Sequence, residues 1–420
     1  MATAKRATLL VIFLTVFLDL IGFGIVLPLL PHYSETLGAE GFTIGLIISS
    51  YSIMQFVFAP WWGKISDRIG RRPVILLSTL GSTVSYALFA LASRRGVDAL
   101  AGLSLLLLSR VFAGFCGANT TVASAYIADI TPPDKRSKGM AMIGVAFGLG
   151  FILGPALGAL TAGYWGPSAP GWVAAGLCGG NFVLAYFILG ESRKPAQVAP
   201  EHRPRWEEWL LTVRRPHLAL LVGIFFLANF CLATFESTLP LFLGVKMLYG
   251  EKEIGWVFAF CGLVTLLVQG GVIGRVVKRF GEPRVISGGL VLVAGSLALL
   301  PFLPGLALLL IALGVFSVGA AFNRAPMLGL ISLQAHADEQ GAVLGTAQSA
   351  GTLARIIGPP FATALYSVYF PLPYTICAAV AVIGLVLTAV WRRRFQAKPT
   401  DPTATAAPAA PTVPSASAGA

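Results

Sequence analysis

Charge is what this sequence has least of. Only 11% of its 420 residues are Asp, Glu, Lys or Arg, where a soluble domain carries about 25%. So few charges cannot clothe a surface in water, which excludes a cytosolic globular enzyme. With 56% hydrophobic residues, the chain is not a disordered one either. Histidine is scarce too. His32, His202, His217 and His336 are the only four, and they sit in loops or near the ends of apolar runs. No His-Glu-x-x-His pattern and no paired aspartates occur, so neither a metal centre nor an intramembrane hydrolase is indicated. The Walker sequence Gly-x-x-x-x-Gly-Lys-Ser/Thr is missing, which argues against ATP as the energy source. The five cysteines, Cys116, Cys178, Cys231, Cys261 and Cys377, lie inside apolar runs at no metal or disulfide spacing. They read as small core residues. No cofactor is implied.

What is present is length in apolar runs. The mean hydropathy is +0.79. A bilayer crossing needs about 20 apolar residues, and twelve stretches qualify: 7–31, 42–63, 72–93, 99–127, 137–163, 172–190, 217–245, 253–277, 284–303, 305–333, 341–366 and 371–391. The first follows Lys5 and Arg6 as a signal peptide would. It runs past Leu30 without a small-residue cleavage site, so it is read as a retained helix. The net charge of +12 would suggest nucleic acid in a soluble protein. Here the basic residues fall between spans, so they report topology. With the N-terminus inside, 23 Lys and Arg lie on the inner side and 4 on the outer. That places both termini in the cytoplasm. The 334–340 connection, with Asp338 and Glu339 and no base, is the one inner loop that does not share in this.

The fold expected is therefore an all-α membrane protein of twelve transmembrane helices in two pseudo-symmetric halves. Residues 1–190 form the first six-helix half and 217–395 the second. The stretch 191–216, with Pro195, Pro200 and Pro204, is a cytoplasmic linker. The Ala/Pro/Thr/Ser-rich tail 396–420 is expected to be disordered. Internal repetition supports the halves. Gly63-Lys-Ile-Ser-Asp-Arg-Ile-Gly70 returns 211 residues later as Gly274-Arg-Val-Val-Lys-Arg-Phe-Gly281, and Gly154-Pro155 returns as Gly358-Pro359. Such duplication is the mark of a transporter with its binding site between the repeats.

Four segments then resemble one family. Gly63-Lys64-Ile-Ser-Asp67-Arg68-Ile-Gly70-Arg71-Arg72-Pro73 is similar to the loop between helices 2 and 3 of the major facilitator superfamily. Arg110-Val-Phe-Ala-Gly114 resembles its helix-4 motif, and Gly144, Gly148, Gly150, Gly154, Pro155 and Gly158 resemble its antiporter motif in helix 5. Asp19-Leu-Ile-Gly22-Phe-Gly24 through Pro28 and Pro31 resembles the first helix of twelve-helix drug/proton antiporters, most like the tetracycline-efflux branch. The resemblance implies export of a small amphipathic or drug-like molecule in exchange for protons, by a monomer in a bacterial inner membrane. A proton-coupled or facilitative metabolite carrier of the same fold is the alternative. Departures speak against tetracycline itself. Where that branch carries an acid before a Tyr, Ser85 precedes Tyr86; where it has a His near a Gln, Thr265 precedes Gln269; and where its helix 9 has an Asp, the region around Val293 is apolar.

Roles follow from chemistry and depth. The 63–73 segment, with Gly63, Asp67, Arg68, Gly70, Arg71 and Arg72, is expected to act as a gating latch between the inner ends of the halves, with Asp129 as a partner. Its glycines permit a tight reversal. Gly150, Gly154 and Gly158 share one helix face at every fourth residue, and Pro155 adds bendability. Ionisable groups at bilayer depth cost about 3 kcal/mol to insert, so they are kept for function. Asp19 lies about 20 Å along its helix from Arg6 and Arg110 at similar depth, so the two could pair. Glu236 and Arg355 form a second acid and base, and Arg324 lies nearer the inner end of its span. Proton coupling is assigned to Asp19, Glu236, Arg110 and Arg355. Gln55, Asn119, Asn229, Gln269, Asn323 and Gln348 are the polar candidates for a substrate cavity.

Overall fold

The computed structural model describes residues 2–117, 119–131, 136–192, 205–335 and 339–396. Within these, only the backbone is described at 2–9, 119–120, 136–141, 144, 147, 205–208 and 396. The tail expected beyond 396 and the middle of the expected linker, 193–204, lie outside the described residues.

The described chain is helical from end to end. In order come α1 (Ala2–Val26), α2 (Leu29–Thr36), α3 (Gly41–Ile69), α4 (Arg71–Ala92), α5 (Ala99–Cys116), α6 (Asn119–Ile130), α7 (Arg136–Trp165) and α8 (Ala169–Ile188). Then follow α9 (Arg205–Val213), α10 (Pro216–Met247), α11 (Glu251–Leu267), α12 (Ile273–Phe280), α13 (Glu282–Leu299), α14 (Leu306–Gln334), α15 (Gln340–Val368) and α16 (Leu372–Trp391). Ten stretches are long and apolar enough to cross a bilayer. The helices α7 and α15, of 30 and 29 residues, complete the twelve. Both are rich in small residues and pack closely on two neighbours, α7 on α1 and α11, and α15 on α10 and α3.

Three spans read as continuous are each in two pieces. Pro28 lies at the break between α1 and α2, Gly117 caps α5, and a π-helical turn at Val268–Val272, holding Gly270 and Gly271, separates α11 from α12. Elsewhere the ends are punctuated as helix chemistry requires. The Asp98 carboxylate accepts from the backbone of Leu100 and Ala101 to start α5. Proline stands in the first turns of α8, α10, α13 and α16. The expected 63–73 loop is mostly helix. Its turn is the single residue Gly70, at φ +103°.

The two halves repeat one pattern of packing. In the first, α1 lies against α7 and α8, and α4 against α5 and α8; in the second, α10 lies against α15 and α16, and α13 against α14 and α16. The halves meet through α7 with α11 and α3 with α15, with α2 also against α10 and α11. At the start of the second half, α9 packs on α15 and α10, and its Thr212 is buried. Large apolar side chains remain exposed on the outer faces, Leu77, Val84 and Leu91 down one side of α4 among them. A surface of this kind has lipid as its solvent.

Candidate functional site

Between the halves lies a cavity of about 630 Å³. Its first-half wall includes Asp19, Tyr51, Gln55 and Ser82, and its second-half wall Arg324, Gln348, Ser349 and Arg355. Its lining extends to Ala59 in the last third of α3 and to Gly341 at the start of α15. Both belong to the end of the bundle where the first span begins and the twelfth ends.

The opposite end is shut by glycine-mediated contact. A Cβ on Gly45 would lie 2.3 Å from Pro360 of α15, and one on Gly255 would lie 2.5 Å from Ala159 of α7. The Ser49 hydroxyl crosses between halves to donate to the Ile356 carbonyl at 2.8 Å. Only the bare backbone allows helices this close. The cavity thus opens toward the termini and is closed on the far side.

Inside the first half, α7 rests on α1 through the predicted glycine face. Cβ atoms on Gly150, Gly154 and Gly158 would approach Leu20, Gly24 and Ile25 at 2.7, 2.7 and 3.1 Å. Pro155 follows in the same helix, and its carbonyl would lie 2.8 Å from a Cβ on Gly255. One short stretch of α7 therefore bears both on its own half and on the other.

Of the intramembrane charges, Glu236 and Arg355 line one space together, whereas Asp19 and Arg110 form no salt bridge with each other. The Asp19 carboxylate faces the cavity and accepts from the Ser82 hydroxyl at 2.9 Å. Arg110 does not pair with it. The Arg110 guanidinium lies over the rings of Tyr86 and Phe89, at 5.7 and 5.5 Å, and its Nε donates to the Ser109 hydroxyl. Ring faces carry partial negative charge and hold a desolvated guanidinium well. Glu236, Arg110 and Arg355 surround a second, smaller chamber of about 40 Å³ on the closed side of the cavity. Arg355 and Tyr51 border both spaces.

The polar candidates divide. Gln55 and Gln348 line the cavity, and Gln55 donates to the Gly117 carbonyl at 3.3 Å. Asn229 and Asn323 lie instead within the second half, beside Arg324, and each donates to its own helix, to the Phe225 and Gly319 carbonyls. Gln269 sits in the π-helical turn, away from the cavity lining. The side chain of Asn119 lies outside the described residues. At the departures from the tetracycline branch, Ser85 is bonded to the Ser109 carbonyl, and Val293 is buried in the core of the second half. Ser82 and Tyr51, which sequence reasoning passed over, carry the cavity geometry. Their only signal was polarity one turn from Tyr86 and Gln55.

The gating segment forms a compact ionic cluster. Arg71 pairs with Asp67 at 2.6 Å and with Asp129 at 3.2 Å, and it also donates to Ser66. Glu191, read as the start of the linker, caps α4. It accepts from the backbone of Arg71 and Arg72 at 2.9 and 3.1 Å. Any Cβ on Gly70 would strike that carboxylate at 2.4 Å. Arg72 donates to the Tyr186 carbonyl, whereas Gly63 has open space and Lys64 and Arg68 enter no salt bridge among the described residues. The partners named here belong to the first half. In the state seen here these contacts join α3, α4, α6 and the end of α8.

Twelve spans in two matching halves around a closed-ended cavity define a multi-pass membrane transporter. The chain belongs to the Major Facilitator Superfamily, whose family profile matches residues 12–270 and 249–418. It is 34% identical over 377 residues to the tetracycline resistance protein of class E from Escherichia coli, covering 86% of this chain and 88% of that one. It is 31% identical over 429 residues to major facilitator superfamily domain-containing protein 10 from Bos taurus, covering 89% and 90%. The solved structure of the human organic anion transporter MFSD10 (TETRAN) matches with a TM-score of 0.69 and 27% identity, over 91% of this chain and 99% of that one. The chain is homologous to both branches, and neither is set apart from the other. Membership places it among transporters, not enzymes.

Proposed function

We propose that this protein moves a small amphipathic organic solute across the cytoplasmic membrane by alternating access, coupled to protons, with organic acids as the preferred cargo. The observation that carries this is the charge of the cavity wall: Arg324 and Arg355 face a single carboxylate, Asp19. Two arginines at bilayer depth attract an anionic head group, while the aromatic wall of Phe23, Tyr51 and Phe56 receives an apolar body. Similarity to a protein described as an organic anion transporter supports the same class. Asp19 supplies the titratable group, and Ser82 orients it. A cavity open on one side and shut on the other is one of the two states alternating access requires.

Drug export in exchange for protons is the second reading, favoured by the α7 glycine face and by similarity to a tetracycline resistance protein. Both readings place the termini in the cytoplasm and take the monomer as the working unit. The deciding experiment is transport by purified protein in liposomes under an imposed pH gradient, with labelled amphiphiles matched in size but anionic, neutral or cationic. Gradient-driven movement of the anions, abolished by a protonophore, is expected. Preference for cations would favour drug export, and transport unchanged by the protonophore would reject proton coupling.

A further inference from the structure

The small chamber beyond the cavity has the makings of a site of its own. It is about 40 Å³ in volume. One water needs about 10–15 Å³ on such a measure, and organic ligands occupy pockets of about 300–1,000 Å³. The chamber therefore admits a monatomic ion or a few waters and excludes the cargo. Phe23 and Tyr51, whose ring centroids stand 5.3 Å apart, lie with Ser52 and Arg355 on the boundary it shares with the larger cavity. Its roof is Leu30 and Pro31, beneath the closed end.

Three ionisable groups of opposite sign line it: Arg110, Arg355 and Glu236. The chamber and the cavity share Arg355, so over both together three arginines face two carboxylates, an excess of one positive charge. Arg110 is 2% exposed, and its Nη2 has no hydrogen-bond partner in the protein. The rings of Tyr86 and Phe89 take the face of the guanidinium but cannot accept its in-plane N–H bonds in the way an anion does. A buried cationic donor left without an acceptor is costly, and such groups are met by a ligand or water. The Ser237 hydroxyl on the chamber wall already donates to the Thr234 carbonyl at 3.0 Å. The charge balance, not the hydroxyls, selects the occupant.

We infer that this chamber is a binding site for one small monovalent anion of halide size, held between Arg110 and Arg355 and separate from the cargo cavity. Arg355 is shared with the proposed cargo site, so the inference rests on Arg110, which lines the chamber and not the larger cavity. Occupancy would offset the excess positive charge while the outer end is closed. The anion would then be a structural partner of this state rather than a transported solute.

The test uses the full-length protein in detergent at constant ionic strength, with sodium chloride or sodium bromide exchanged for sodium gluconate, whose anion is too large for the chamber. A ligand that binds only the folded protein raises the unfolding midpoint in a saturable way. Chloride and bromide should do so and gluconate should not. Arg110→Gln should abolish the response, and Arg324→Gln, which removes a cation from the larger cavity instead, should keep it. Crystals soaked in bromide should show anomalous density at hydrogen-bond distance from Arg110 Nη2, a readout that needs no variant to fold. Equal midpoints in chloride and gluconate, a response retained by Arg110→Gln, or bromide found only in the larger cavity would each overturn the inference. Stabilisation by formate or acetate without stabilisation by halides would also overturn it, since the chamber would then take the carboxylate head of a cargo.

Discussion

Asp19 and Glu236 are the two intramembrane carboxylates of interest, and they face different spaces. Asp19 borders the cavity that opens toward the termini, and Glu236 borders the chamber on the closed side. A carboxylate that must release protons to the open side is better placed at Asp19. Asp19→Asn keeps the shape and the acceptance of the Ser82 hydrogen bond while removing the proton. Uphill transport in proteoliposomes should fall to background with folding unchanged, and Glu236→Gln should retain part of it. The reverse pattern would assign coupling to Glu236. Arg71 is a different kind of residue, held by Asp67, Asp129 and Ser66 of the first half. Arg71→Ala leaves two carboxylates without their shared cation, and should cost about 1.5–3 kcal/mol, the range for hydrogen bonds to charged groups. A lowered unfolding midpoint, with equilibrium cargo affinity little changed, is the expected measurement.

At the scale of the helix, the decisive feature is close approach. Gly154 of α7 sits so near Gly24 of α1 that a Cβ would lie 2.7 Å from backbone atoms, which cannot give way as a flexible side chain can. Gly154→Ala should therefore destabilise by about 1–3 kcal/mol. Gly176, in α8, has nothing within 4 Å of its would-be Cβ. Gly176→Ala should be neutral, or stabilising by about 0.4–1 kcal/mol through the unfolded chain. Unfolding of the two variants side by side checks whether the α7 glycines serve packing at a named place or merely reflect composition. The periodicity of Gly150, Gly154 and Gly158 was readable in the chain because a helix repeats its face locally. The partner, α1, was not, since nothing local records which neighbour that face meets.

The whole molecule is held in one state by the contacts at its closed end. Gly163 of α7 and Lys252 of α11 meet there across the halves, and a Cβ on Gly163 would lie 3.4 Å from that of Lys252. This is close to the separation of about 3.5–4.5 Å found in disulfides. Gly163→Cys combined with Lys252→Cys should cross-link on oxidation. Transport should then fall to background and return on reduction, because the halves must part at this end to expose the cavity on the other side. The native cysteines do not interfere, being unpaired and, apart from Cys261, buried. Transport that survives complete cross-linking would show that the closed end does not need to open.

The chain by itself determined the membrane class, the spans, their duplication and the identity of the charged residues within them. These depend on local quantities: apolar length against bilayer thickness, and the period of a helix. It also set Asp129 beside the basic segment, through nearness in the topology. Only the tertiary structure decided which groups meet. Asp19 found Ser82 and not Arg110, because helix rotation turned Arg110 onto Tyr86 and Phe89. Glu191, apparently linker, became the cap of α4 because the end of α8 returns beside Gly70. Rotation, tilt and the choice of neighbour are set by small-residue packing between helices distant in sequence. That packing belongs to the assembled bundle, and no single span carries it.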